Sequence, residues 1–214
     1  GRQTRPDLYK LRFKKIPPLV PRDLCFEVPE RLDAQGNVIV SIDENAVRDV
    51  AKCLKEADVE SIAVCFLHSY IEPTHEQRAG EILRELLPGV LVTLSSELAP
   101  EIREYFRAST TVVNAAISPI VESYLARIEE GLSSNDIDPE LLVMQSNGGI
   151  FTFRAAKDRQ VFMVESGPAA GVVAASNLGA RLDLLNVLSL DMGGTTAKAG
   201  LVQDGIPVVT KEYE

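Results

Sequence analysis

Short, continuously apolar runs alternate with amphipathic stretches along most of this chain, and that alternation restricts the fold more than any other feature. "SIAVCFL" (61–67), "VLVTLSS" (90–96), "LLVMQSNGG" (141–149) and "NVLSLDMGG" (186–194) read as strands rich in β-branched and apolar residues. Between them lie helical patterns. "SIDENAVRDVAKCLKEADVE" places Ser41 three residues before Glu44, a capping-box spacing, and puts Val47, Val50, Ala51 and Leu54 on one face. A second helix is predicted from about Glu76 to Leu87, stopped by Pro88 and Gly89. A third is predicted from Ile117 to Leu132, and "ESGPAAGVVAASNLGARL" reads as a helix of small residues with Ser166 as N-cap and Pro168 in its first turn. Strands that alternate with helices predict an α/β fold, with a largely parallel or mixed sheet flanked by helices, "SIAVCFL" buried on both faces and "NVLSLDMGG" the last buried strand.

A composition that is 45% hydrophobic over 214 residues permits a substantial core, in one large domain or two small ones. The net charge of −9 comes with no basic stripe that could neutralise a phosphate backbone, which argues against a nucleic-acid partner. No apolar run reaches the roughly 18 residues that span a bilayer, so the expectation is a cytoplasmic protein without a membrane partner. Cys25, Cys53 and Cys65 lack metal-ligand spacing and read as reduced thiols. Residues 1–40, with "PPLVPRDL", predict an extended connector; 41–140 form an α/β region; 141–214 begin a further domain. The opening Gly1 and the strand-like "IPVVTKEYE" at the end suggest an internal segment of a longer protein.

The stretch "LSLDMGGTTAKAGLV" (189–203) carries the densest chemistry. The predicted strand Asn186–Leu190 delivers Asp191 at its carboxyl end, where ligands of open α/β sheets bind. Gly193 and Gly194 permit positive φ and close backbone approach to an anion, and Thr195 and Thr196 add hydroxyl donors. The return to "AKAGLV" marks the tip of a β-hairpin, unlike a Walker A loop or a dinucleotide fingerprint. Asp191 beside a phosphate cradle could hold Mg²⁺. The plain alternative is an ordinary hairpin turn. Two further glycine loops add support: "QSNGGI", with Gly148 and Gly149, and the helix start at Ser166 and Gly167. The small residues of that helix serve equally well for close packing on a sheet.

These residues resemble the hydantoinase A / 5-oxoprolinase family, a branch of the actin-like (ribonuclease H-like) ATPase superfamily. "PDLYKLRFKKIPPLVPRDLCFEVPERL", "VCFLHSYIEPTHEQRA", "SSELAPEIREYFRASTTVVNAAISPIVESYL", "LVMQSNGGI" and "VESGPAAGVVAA" are similar to segments of that family in the same order, covering nearly the whole chain. The resemblance implies an actin-like architecture, present in part, and an ATP- and Mg²⁺-dependent enzyme that phosphorylates the carbonyl oxygen of a cyclic amide before ring opening. It implies a hydantoinase B-type subunit or domain as partner and permits a homo-oligomer. Carried onto this chain, Asp191 serves the metal or the attacking oxygen, with Gly193, Gly194, Thr195 and Thr196 around the β- and γ-phosphates. The family's first D-x-G-G-T loop does not precede Asp191 here, so the nucleotide cleft is half built and the chain alone should bind nucleotide weakly. Many oxoprolinase-like members carry an acid in the second half of this motif, and Lys198 in that neighbourhood leans towards the hydantoinase branch. Two alternatives stand beside the hydrolase: an acetone or acetophenone carboxylase-type subunit, and a non-catalytic nucleotide-binding module.

Other groups attract plainer readings. His68 and His75 lack a carboxylate at fixed spacing, so capping or surface roles outweigh a metal site. Glu101, Arg103, Glu104 and Arg107 fall at helical spacing, where solvated ion pairs are the ordinary outcome, although the resemblance draws attention to Arg107 and Asn114 as cleft residues.

Overall fold

The computed structural model describes residues 17–137 and 139–209, which form two compact units divided between Ile120 and Val121. Residues 1–16 of the predicted connector and the final "TKEYE" lie outside the described residues.

In the unit that runs to Ile120, a 3-10 turn at Arg22–Leu24 interrupts the expected extended segment. β1 (Arg31–Leu32) and β2 (Val38–Val40) pair antiparallel across the predicted turn at Gly36, whose φ of 87° suits a residue without Cβ. α1 (Glu44–Glu56) is capped two residues past the expected position: the Asp43 carboxylate, not Ser41, accepts from the N–H groups of Asn45 and Ala46. Both are good capping residues, and Asp43 is the one placed directly before the first helical turn. β3 (Ser61–Val64), α2 (Thr74–Leu86) and β4 (Leu91–Leu94) form a strand, helix, strand unit whose strands pair in parallel, Ser61 opposite Leu91 through Val64 opposite Leu94. Val47, Ala51 and Leu54 of α1 meet Ile62 and Val64 of β3, Ile82 of α2 and Leu94 of β4 in one core. Burying each large aliphatic side chain there contributes about 1.5–3 kcal/mol before chain entropy is counted. α2 starts at Thr74, earlier than expected, which carries Glu76 inside the first turn and fully out of solvent.

After a single turn, α3 (Ser95–Leu98), the chain enters α4 (Glu104–Ser133). This helix is twice as long as the sequence suggested, because its first half buries polar side chains where an apolar face was sought. Arg107, Thr111, Asn114 and Ser118 are all at most 2% exposed and recur at helical spacing. Thr111 Oγ1 and Ser118 Oγ donate to carbonyls one turn back, at Arg107 and Asn114, so the stripe satisfies part of its own hydrogen bonding. Arg107 is therefore not part of a solvated ion-pair face.

The cysteines separate by environment. Cys25 and Cys53 are exposed, whereas Cys65 is half-buried and burial pushes its thiol above the ordinary range. A buried thiol is poorer in thiolate, so iodoacetamide at pH 8 is expected to label Cys25 and Cys53 well before Cys65; equal rates by peptide mapping would contradict that placement.

In the second unit, β5 (Leu142–Met144) and β6 (Ile150–Thr152) make an antiparallel hairpin, followed by α5 (Phe153–Asp158) capped by the Thr152 hydroxyl. A 3-10 turn at Gln160–Met163 leads to α6 (Ser166–Arg181), which packs on an antiparallel sheet of β7 (Val187–Met192), β8 (Ala197–Gln203) and β9 (Ile206–Pro207). The α/β expectation holds, but the strands form four small sheets, and only β3 and β4 pair in parallel among the described residues. β7 is also not the expected buried strand. α6 lies over the face that carries Ser189 and Gly200, while Leu188, Leu190 and Met192 on the opposite face are 66–71% exposed. Its sheet carries one layer of helix in the described chain, so an apolar run alone does not mark a buried strand.

Candidate functional site

The β7–β8 hairpin forms as expected. Met192 pairs with Ala197, leaving Gly193, Gly194, Thr195 and Thr196 as the connecting turn, with the Gly193 N–H donating to the Thr196 carbonyl at 2.9 Å. β7 extends to Met192, so Asp191 lies one residue inside the strand, directly opposite Lys198, rather than beyond its end. Asp191 and the four turn residues are exposed.

Four of the unit's glycines have a clear physical cause. A Cβ on Gly200 would lie 2.1 Å from Val172 Cγ2, and one on Gly179 would lie 2.7 Å from the Leu184 carbonyl, so close packing requires both glycines. Gly148 and Gly205 have φ of 84° and 79°, which turn geometry requires. Gly131, Gly167 and Gly171, all in helices, satisfy neither description, nor do Gly193 and Gly194, which stand in the exposed turn. Contrary to the expectation, neither of these two takes a positive φ. No atom stands within 4 Å of a Cβ placed on Gly194, and a Cβ on Gly193 would meet only the Thr196 carbonyl, at 4.0 Å. Nor do the N–H groups of Gly194 and Thr195 find an acceptor among the described residues. The turn thus presents bare backbone and free donors to solvent.

The start of α6 is held beside this hairpin. Lys198 donates from Nζ to Glu165 Oε2, in the residue immediately before the helix. Glu165, with a left-handed φ of 62°, occupies the N-cap position, while Ser166 is the first helical residue and Gly167 is exposed with open space at its Cβ. The expected cap at Ser166 is displaced by one residue. The "QSNGGI" turn is placed differently: Gly148 stands against Val173, seven residues and roughly 10 Å along α6 from Ser166. Its N–H groups are consumed locally, Gly148 donating to the Gln145 carbonyl and Gly149 to Asn147 Oδ1. Hence the Glu165–Lys198 contact joins the residue before α6 to the β7–β8 hairpin, while the N–H groups of Gly148 and Gly149 are satisfied within their own turn.

No group of three or more His, Cys, Asp or Glu side chains among the described residues could hold a metal ion alone. A divalent cation at Asp191 therefore fits only if phosphate oxygens supply further ligands, the usual arrangement for Mg²⁺ with nucleotides. His75 is buried and paired through Nδ1 to Glu30 at 2.8 Å, a structural link.

In the first unit, the loop after β3 and the end of β4 meet in a buried polar network. Glu76 accepts from the Phe66 and Ser96 N–H groups and from Ser95 Oγ, at 2.6–2.8 Å. Arg107 donates to Ser95 Oγ, the Glu101 carbonyl and the Phe66 carbonyl, and lies 5.4 Å from the Tyr70 ring centre. Asn114 donates to Thr93 Oγ1 on β4. This network fills the carboxyl ends of the parallel strands. Its signal in the sequence was the polar spacing along α4.

The hydantoinase/oxoprolinase family model matches residues 107–214, and the model of that family's N-terminal region matches 1–87. The chain belongs to the hydantoinase/oxoprolinase family. Within this family it is 44% identical to MJ0964 of Methanocaldococcus jannaschii across the whole chain, which is 32% of that protein. It is 35% identical to caprolactamase subunit alpha of Pseudomonas jessenii over 92% of this chain and 28% of that one. The crystal structure of the ATP-dependent caprolactamase superposes over 90% of this chain and 28% of that one, with a TM-score of 0.80 at 34% identity. A nucleotide-free acetone carboxylase structure, from work on ATP-dependent acetone carboxylation, gives 0.79 at 30% identity over the same shares. The chain thus spans about a third or less of the relatives it matches. Relatives of this hydantoinase/oxoprolinase chain include both an amide hydrolase and a carboxylase. Among its described residues, no helix is long and apolar enough to cross a membrane.

Proposed function

We propose that the β7–β8 turn belongs to the phosphate site of an ATP-dependent enzyme that phosphorylates the carbonyl oxygen of a cyclic amide before the ring opens. The observation that carries this reading is the pair of glycines at 193 and 194, which neither packing nor φ requires, beside two free N–H donors. Bare backbone with unpaired donors suits the close approach of an anionic oxygen. Bound ATP supplies the phosphoryl group that turns an amide oxygen into a leaving group. In this chain the Gly194 and Thr195 N–H groups would hold terminal phosphate oxygens, Thr195 and Thr196 would add hydroxyls, and Asp191 would take a Mg²⁺ ion shared with those oxygens. Ser166 and Gly167, at the amino end of α6, would line the same pocket. The reaction proposed here takes place in the full-length protein, with a B-type subunit as partner. The subunit designation of the caprolactamase relative supports that assembly.

Similarity to acetone carboxylase supports a second reading, in which the same phosphorylation step feeds a carboxylation. A screen of cyclic amides and ketones for ADP release, with and without bicarbonate, separates the two. For the site itself, Asp191→Ala in the full-length protein is expected to weaken Mg-ATP binding roughly ten- to thirtyfold by calorimetry, as the loss of a charged contact predicts. Equal affinity in wild type and variant would remove Asp191 from the site.

A further inference from the structure

Asp191 and Lys198 are direct cross-strand partners, so their side chains rise from the same face of the hairpin. Opposite charges in that register ordinarily pair with one another. Here the Lys198 ammonium sits on Glu165 Oε2 instead, at the start of α6, and Asp191 makes no ion pair among the described residues. Glu165 reaches this position from a left-handed backbone that few residues other than glycine adopt. Nothing on α6 uses its carboxylate as a helix cap.

We propose that Glu165 is a positioning residue: it holds the Lys198 ammonium at the start of α6, keeps it from neutralising Asp191, and so leaves that carboxylate available to a divalent cation. The inference rests on the phosphate-site reading above. Lys198 has a long, flexible stem and a point charge, and it can swing to the neighbouring carboxylate once its partner is gone. An ammonium on Asp191 competes with a divalent cation there, through charge repulsion and for the same oxygens. The Glu165–Lys198 pair is partly exposed, with side chains 60% and 35% accessible, so its effect on folding stability is small and its effect on cation use is the distinguishing one.

The test measures the Mg²⁺ concentration that gives half-maximal ATP binding to the full-length protein, by calorimetry, together with thermal melting. Glu165→Gln is expected to raise that concentration about three- to tenfold with little change in melting temperature. In a protein that also carries Lys198→Met, the same Glu165→Gln change is expected to have no further effect, because no ammonium remains to be restrained. An equal shift with and without Lys198→Met, or no shift in either case, while Asp191→Ala still weakens binding, overturns the positioning role alone. Asp191→Ala without effect overturns the role together with the site reading beneath it.

Discussion

Arg107→Met is expected to cost the unit that runs to Ile120 about 3–5 kcal/mol of folding stability, seen as a lower urea midpoint with a largely unchanged slope. Methionine replaces much of the volume of a side chain that is 1% exposed, but none of its donors. The Glu101 carbonyl loses a 2.8 Å bond, Ser95 Oγ loses a 3.0 Å bond, and the Phe66 carbonyl keeps only the Ser69 hydroxyl at 3.1 Å. More important is what remains. Glu76 stays fully buried on three donors, and the guanidinium one hydroxyl away, which supplied the positive charge of this network, is gone. Arg107→Lys should lose more than half as much, since one ammonium cannot span three acceptors set around a planar fork. Glu76→Gln should lose about 1–3 kcal/mol, because its amide must turn an N–H₂ towards a backbone donor. Wild-type melting for Arg107→Met would show that the carboxyl ends of β3 and β4 are held by apolar packing alone.

That network also marks where the sequence stopped being legible. Helix α1, the strands β3 and β4, the stop at Gly89 and the hairpin at 193–196 follow from local signals: periodicity, a capping residue, turn glycines. Each such signal lies within a few residues of the structure it specifies. The buried face of α4 does not: Arg107 and Asn114 find side-chain partners far along the chain, at Phe66, Ser95 and Thr93, while Thr111 and Ser118 on the same buried stripe donate back to their own helix. A search for apolar periodicity starts the helix at Ile117 and misses its first half. β7 fails in the opposite direction: its apolar run reads as a buried strand, yet α6 covers one face and Leu188, Leu190 and Met192 face outward. At the candidate site, the hairpin and the identities of its residues were legible, but their reason was not. The sequence suggested glycines chosen for positive φ; the structure leaves them without a conformational or steric cause inside the described chain.

Gly194→Val converts that difference into the largest functional effect expected: a loss of Mg-ATP affinity of about a hundredfold or more in the full-length protein, with folding stability within about 0.5 kcal/mol of wild type. The backbone at 194 lies outside the left-handed region and no atom stands within 4 Å of the new Cβ, so the folded chain accepts the side chain. Its branched methyls then occupy the space above the Gly194 and Thr195 N–H groups, where a phosphate oxygen would have to come within about 3 Å. Gly200→Ala supplies the contrast, because its Cβ would lie 2.1 Å from Val172 Cγ2 and must disturb the packing of α6 on β8. A turn glycine kept only for folding would reverse this ordering: Gly194→Val would then melt early and bind nucleotide as wild type does. Calorimetry and thermal melting on the two variants distinguish a glycine that the fold needs from one that a ligand needs.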